Sequence, residues 1–196
     1  MRIEFLSDLI GEPAARTVTT LIVIMLILFL TWLIRKLLES ALPKLIDKLT
    51  ARTNNRLDDR LFKILLPPVR FAVGVIGLWI ATLVINFSPG ARDLISRVMS
   101  SLLAIALFWA AHRAVELFVY VVVRVGRRTW RINEPGRATA KLENAAEQLL
   151  KALIIVLAVM VVLEEWDYHV GGLVAGLGIG GLAVALAAQD ALSNLF

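Results

Sequence analysis

The sequence contains no cysteine and only two histidines, so most protein metal sites and covalent cross-links lack their ligands here. Without cysteine, disulfides, iron–sulfur clusters and thiolate zinc sites are excluded. The two histidines, His112 and His169, stand 57 positions apart, which does not match the local spacing of histidine zinc ligands. We therefore expect no metal site and no cofactor.

Apolar residues, in contrast, are in excess. They make up 59% of the 196 residues before glycine is counted, and the mean hydropathy is +0.78. Soluble domains contain roughly 45 to 50% apolar residues with glycine included, and a domain of this size hides only about 70% of its unfolded surface. The surplus predicts that lipid covers much of the chain. Because a helix satisfies its own backbone hydrogen bonds in lipid, the expected fold class is an all-α integral membrane protein.

Five apolar runs are long enough to cross about 30 Å of hydrocarbon as helices that rise 1.5 Å per residue. The helix of the second run is expected to end before Pro89 and Gly90, because this pair cannot prolong a helix. The predicted order is an outer interfacial helix at 1–16, a first transmembrane helix at 17–38, a basic cytoplasmic amphipathic segment at 39–66, a second transmembrane helix at 67–88, a third at 98–123, a basic cytoplasmic loop at 124–141, a fourth transmembrane helix at 142–164, a fifth at 168–189, and the start of another helix at 190–196.

Lysine and arginine alternate between the segments that connect these runs. The counts along the chain are two, nine, two, seven and none. By the positive-inside rule, this alternation predicts an amino terminus outside and a carboxyl end in the cytoplasm. The net charge of +5 and the pI of about 10.0 are then an orientation signal, so we predict membrane lipids and no nucleic acid as partners.

The fifth run is unusually rich in small residues. Six glycines lie between Gly171 and Gly181, and each costs about 1 kcal/mol of helix propensity in water. So many glycines in one helix indicate that other backbones approach it closely.

At 100° per residue, the fifth helix has two different small-residue flanks. A front stripe contains Gly171, Ala175, Gly178, Leu182, Leu186 and Gln189; one flank contains Gly181, Ala185 and Ala188; the other contains Gly172, Gly176, Ala183 and Ala187. Two flanks that fit each other suit a head-to-tail contact between identical copies, which closes into a ring. The front stripe would then line a pore, and rings of Leu182 and Leu186 would form a narrow gate that expels water.

The segment GLGIGGLAVALAAQDALSNLF closely resembles the pore-lining helix of the small-conductance mechanosensitive channel (MscS) family. That family combines a small-residue ridge, two pore leucines, a Gln-Gly break and a Leu-Ser-Asn-Leu run. The resemblance implies a constriction at Leu182 and Leu186, a ridge at Gly181, Ala183 and Ala185, and a helix break at Gln189 and Asp190. It also implies a heptameric channel in the bacterial inner membrane that opens under tension and passes ions and small solutes during hypo-osmotic shock. The first two transmembrane helices are extra relative to the three-helix members.

Two features depart from the family pattern. Asp190 stands where many members have glycine, and as a favoured N-cap residue it is expected to end the pore helix and start the next one. The sequence also stops at Phe196, whereas family members continue into a cytoplasmic domain. We therefore expect a truncated or partial chain that lacks this domain.

The glycines of the fifth run also match a motif with a different function. Gly176, Gly178 and Gly181 spell the G-x-G-x-x-G dinucleotide fingerprint, which needs a preceding strand and an acidic residue about 20 positions further on. Only 15 residues follow Gly181, so we reject this interpretation.

Charged residues within the apolar runs have both a structural and a functional interpretation. Arg113 and Glu116 could form a proton or substrate site, but we favour a structural ion pair. Glu147 and Lys151, four apart, predict an interfacial ion pair. The last connection is expected to be a solvated acidic loop, and its acidic residues are Glu164, Glu165 and Asp167.

No enzyme is expected, because no nucleophile or acid–base constellation appears. The alternatives to a channel are a secondary transporter and a structural membrane scaffold. A transporter favours polar ligands at mid-membrane in related halves, which the fifth helix does not offer. A scaffold would explain the small residues but not the leucine stripe.

Overall fold

The computed structural model describes the backbone of residues 12–50, 56–130 and 137–193, and these residues form five α-helices. The helices are α1 (Glu12–Thr50), α2 (Arg56–Leu83), α3 (Pro89–Trp130), α4 (Arg137–Glu165) and α5 (Gly171–Ser193). Throughout the described ranges the fold is all-helical, as predicted. Most of the predicted interfacial helix, residues 1–11, and the terminal residues 194–196 lie outside the described part of the chain.

Four helices contain a stretch long and apolar enough to cross a membrane. These stretches are Arg16–Ser40, Ile64–Leu83, Pro89–Val122 and Glu143–Glu165. The apolar stretch described in α5, Gly171–Ala187, is shorter. A crossing by α5 therefore stays a prediction.

The helices pack in chain order, α1 against α2, α2 against α3 and α3 against α4. Among the described residues, the buried side chains are few and mostly small or flexible: Pro68, Val75, Ala81, Met99, Ser101, Ala106, Val115, Leu117 and Met160. Many large apolar side chains point away from the protein, such as Met25, which is 71% exposed. Water does not tolerate so large an apolar surface on a monomer, so lipid or further protein must cover it.

The helix boundaries differ from the predicted ones. α1 continues from the first apolar run into the predicted basic segment, and α2 continues through Pro67 and Pro68, where a separate membrane helix was expected to begin. Pro89 and Gly90 open α3, so the third helix starts nine residues before the predicted 98. The physical reason is that proline at the first position of a helix loses no hydrogen bond. The Arg92 amide donates to the Ser88 carbonyl at 2.9 Å and so closes the first turn.

α1 and α2 approach each other closely at Gly77. A Cβ atom built on Gly77 would lie 2.7 Å from the Thr31 Cβ and would also collide with the Thr31 hydroxyl, which donates to the Ile27 carbonyl at 2.7 Å. Seven residues before Gly77 in α2, the Arg70 guanidinium pairs with the Glu39 carboxylate of α1 at 3.1 Å. Glycine is therefore required at 77 by the packing of these two helices.

Candidate functional site: the glycine-rich helix and its attachment

The surface of α5 is not covered by the rest of this chain. Every residue from Gly171 to Ala187 is exposed, with Leu182 at 62% and Leu186 at 59%. Within the described residues, α5 has no extensive contact with another helix. A Cβ atom built on any of its six glycines would meet nothing within 4 Å. No contact among the described residues explains these glycines, so the close approach expected from the sequence stays a prediction about a second molecule.

The helical backbone of α5 brings the predicted pore residues onto one face. Since α5 is helical from Gly171 to Ser193, residues three and four apart share a side of it. The front stripe therefore includes Gly171, Ala175, Gly178, Leu182, Leu186 and Gln189. The small residues lie on either side: Gly181 and Ala185 on one, Gly172, Gly176, Ala183 and Ala187 on the other. The side chains of Ala188 and Asp190 are outside the described ones.

The predicted break at Gln189 and Asp190 does not appear in this structure. α5 runs without interruption through both residues to Ser193. The alanines and leucines on either side favour the helix. The break remains a prediction for the assembled protein.

The turn between α4 and α5 has a defined helix-capping geometry. The Tyr168 amide donates to the Leu163 carbonyl at 3.1 Å, and the Asp167 amide donates to the Glu164 carbonyl at 3.0 Å. Asp167 adopts φ 61°, the left-handed conformation that ends many helices with this pair of bonds. The direction in which the chain leaves α4 is therefore fixed.

This turn is also attached to the first part of α3. The Arg97 guanidinium forms an ion pair with the Asp167 carboxylate and donates to the Glu165 carbonyl at 3.1 Å. The Trp166 indole N–H donates to the Ser101 hydroxyl at 3.1 Å, and Ser101 is buried. The acidic loop is exposed, as expected, but the prediction missed these contacts, which join residues 65 or more positions apart.

A second set of charges joins α3 to α4. The Lys151 ammonium donates to Glu147 at 2.7 Å, which confirms the predicted ion pair, and also to Glu116 at 3.0 Å. The contact with Glu116 joins residues 35 positions apart, which no local sequence pattern indicates. Arg113 lies over the Trp109 ring, with its guanidinium carbon 5.4 Å from the ring centroid. Glu116 is thus part of an ion-pair network between two helices.

The candidate site has no metal-binding chemistry in the described residues. No three histidine, cysteine, aspartate or glutamate side chains lie close enough together there to hold a metal ion. What α5 offers instead is an apolar surface with small residues on both sides and two leucines in front.

Comparison with known proteins identifies the family of this helix. A family model described as "Mechanosensitive ion channel, transmembrane helices 2/3" matches residues 148–189, the end of α4 and most of α5. No solved structure gives a significant match.

Curated relatives match most of the chain, including the first three helices, in which hydropathy was the only recognisable feature. An uncharacterized MscS family protein of Aquifex aeolicus is 29% identical over 98% of this chain and 50% of its own length. The uncharacterized MscS family protein YhdY of Bacillus subtilis is 31% identical over 87% of this chain and 44% of its own. The large-conductance mechanosensitive channel MscMJLR of Methanocaldococcus jannaschii is 26% identical over 88% of this chain and 46% of its own.

The chain spans about half the length of these relatives. The family is one of channels and not of enzymes. Its apolar helices and these matches make the chain a multi-pass membrane protein and a member of the MscS family of mechanosensitive channels.

Proposed function

We propose that this chain is the membrane part of a channel that opens under membrane tension and passes ions and small solutes during hypo-osmotic shock. The observation that carries the proposal is the exposed surface of α5. Its small residues and its two leucines are exposed, and no contact among the described residues accounts for them. In a family of mechanosensitive channels, a helix with this surface is suited to line a pore.

The proposed assembly is a homo-oligomeric ring, a heptamer by family resemblance. In it, the flank with Gly181 and Ala185 packs on the flank with Gly176 and Ala183 of the next copy, because small residues allow two backbones to approach closely. α5 crosses the membrane as the fifth transmembrane helix and lines the pore, while α1 to α4 form a lipid-facing paddle around it.

The proposed gate is the pair of leucine rings at Leu182 and Leu186. A narrow apolar passage expels water, and an ion that must shed its hydration there meets a barrier. Tension favours whichever state occupies more membrane area, so the bilayer acts as a ligand with a different affinity for each state. Tilting of the paddle would slide one flank over the next and widen the rings until water enters.

The proposed location is the bacterial inner membrane, with the amino terminus outside and the carboxyl end in the cytoplasm. In this orientation the basic segments that follow the first and third membrane helices face the anionic inner leaflet.

Patch recording on the full-length protein in liposomes tests this function. We expect single-channel currents that appear under suction and stop when suction is released, and none in protein-free liposomes. A patch that stays silent while the same liposomes move a solute in fixed stoichiometry with an ion would identify a transporter. Silence without any transport would leave the scaffold as the better interpretation.

A further inference from the structure

The attachment between α3 and the α4–α5 turn gives α5 a route to the paddle that does not pass along α4. Within the described residues α5 has no extensive contact with another helix, so the segment at its start is its main connection to the other helices of the same chain. That segment is held by Arg97 and Ser101 of α3. Motion of α3 therefore acts directly on the residues that precede α5.

We propose that Arg97 is a positioning residue for gating, which fixes the start of α5 to α3 so that tilting of α3 displaces the pore helix. The inference rests on the proposed function and adds to it the contact through which the paddle acts. We call the contacts of Arg97 and Ser101 with residues 165–167 the joint.

The geometry of the joint suits this role. Arg97 holds two points on the turn, the carbonyl of Glu165 at the end of α4 and the carboxylate of Asp167. Between them, Trp166 is held by Ser101. The turn itself is stiffened by its two capping hydrogen bonds and by the left-handed conformation of Asp167.

The start of α5 follows closely after the joint. The first hydrogen bond into α5 runs from the Val174 amide to the Val170 carbonyl at 3.0 Å. Only three residues separate Asp167 from Gly171, so little slack lies between the ion pair and the pore helix. A displacement of Arg97 is passed on over a short and partly fixed segment.

The exposure of the joint makes it testable without unfolding the protein. The side chains of Arg97 and Asp167 are 38% and 78% exposed, and exposed ion pairs contribute little to folding stability. Loss of the pair should therefore leave assembly intact and change the coupling between tension and opening.

The test is a charge reversal with rescue, measured as the tension that opens half of the channels in liposome patches of the full-length protein. We expect Arg97→Glu and Asp167→Arg each to raise this tension, because the start of α5 is released from α3. The double variant, which restores an ion pair with its charges exchanged, should return the half-opening tension toward the wild-type value. This rescue would show that the pairing itself, and not either side chain alone, sets the half-opening tension.

Arg92→Glu is the matched control. Arg92 is an exposed residue of the same helix, five positions before Arg97, and the substitution makes the same change of charge. It should leave the half-opening tension unchanged. Trp166→Phe keeps an aromatic ring but removes the N–H that donates to Ser101. It should raise the half-opening tension, as Arg97→Glu does.

The outcomes separate this proposal from the function on which it rests. Single reversals that open at the wild-type tension, or a double variant as impaired as either single one, would overturn the joint while the channel stands. A wild-type protein without stretch-evoked current would overturn the channel itself. If Arg97→Glu does not reach the membrane, Arg97→Gln and Trp166→Phe replace it, and wild-type tension in both would overturn the joint.

Discussion

Glycine has two different uses in this chain. At Gly77 the surrounding atoms leave no space for a methyl group, because Thr31 of the neighbouring helix occupies it. At the six glycines of α5 the described residues leave the surrounding space open. The first kind of glycine is explained by the packing of α1 on α2, and the second is the basis of the proposed contact between copies.

The two leucines of the front stripe give the first residue-scale prediction. Leu186→Ser should lower the half-opening tension and cause openings without suction. Exposing a leucine to water instead of burying it costs about 1.5–3 kcal/mol, and this cost opposes the entry of water into the gate. A ring of serines lacks this cost at every subunit, so water enters more easily. The measurement is open probability against tension in liposome patches.

Val184→Ser is the control for this prediction. Val184 is also an exposed apolar residue of α5, at 70%, but it lies on the opposite side of the helix from Leu186. It should leave the half-opening tension close to the wild-type value. Equal effects of the two substitutions would contradict a leucine gate.

At the scale of helices, the structure is a series of pairwise contacts in chain order. α1 is held to α2 by the close approach at Gly77 and by the Arg70–Glu39 ion pair, and α3 is held to α4 by the Lys151 network. These contacts consist of a few ion pairs and the close approach at Gly77, while many apolar side chains point outward. Individual helix pairs should therefore be sensitive to single changes at these points.

Gly77→Ala tests the contact of α1 with α2. The added methyl group collides with Thr31, whose Cβ lies on the neighbouring helix and moves only with it. Overpacking of this kind costs about 1–3 kcal/mol. We expect the variant to unfold at a lower temperature than the wild type in detergent, as measured by circular dichroism.

Gly74→Ala is the matched change on the same helix. A Cβ at Gly74 would lie 3.2 Å from the terminal nitrogen of the Arg35 side chain, which is flexible and free to shift. Its unfolding temperature should stay near that of the wild type. Similar losses at both positions would mean that the α1–α2 approach is less close than described.

Hydropathy was enough to predict an all-helical membrane protein, because it is a local property of the sequence. The start of α3 was not predicted, since Pro89 is compatible with either end of a helix and only the bond from Arg92 to Ser88 decides between them. The contacts of Arg97 with Asp167 and of Lys151 with Glu116 join distant positions. No local pattern indicates which charged residues will meet in this way.

At the scale of the whole molecule, α5 is the helix that the rest of the described chain leaves uncovered. Every residue from Gly171 to Ala187 is exposed. Its two flanks are unlike, so the proposed contact is between one flank and the other of the next copy.

Ala185→Leu tests this contact between copies. A leucine on the flank has no space if the next helix lies against it, and we expect about 1–3 kcal/mol of destabilisation at each interface. The variant should form fewer complete oligomers, measured by size-exclusion chromatography with light scattering, or open only at higher tension. Val184→Leu, one residue away on the back of the helix, should assemble as the wild type does. Normal assembly and gating of Ala185→Leu would argue that this flank is not an interface.

The membrane-spanning stretches differ in length, which has a consequence for how the bilayer acts on them. Arg16–Ser40 has 25 residues and Ile64–Leu83 has 20, or about 37 Å and 30 Å along the helix axis. A hydrocarbon layer of about 30 Å matches the shorter one and accommodates the longer one by tilt. A stretched bilayer is also a thinner one, so hydrophobic mismatch increases first at the longer stretches, which are Arg16–Ser40 in α1 and the 34 residues of Pro89–Val122 in α3, and these two helices should be the earliest to lean.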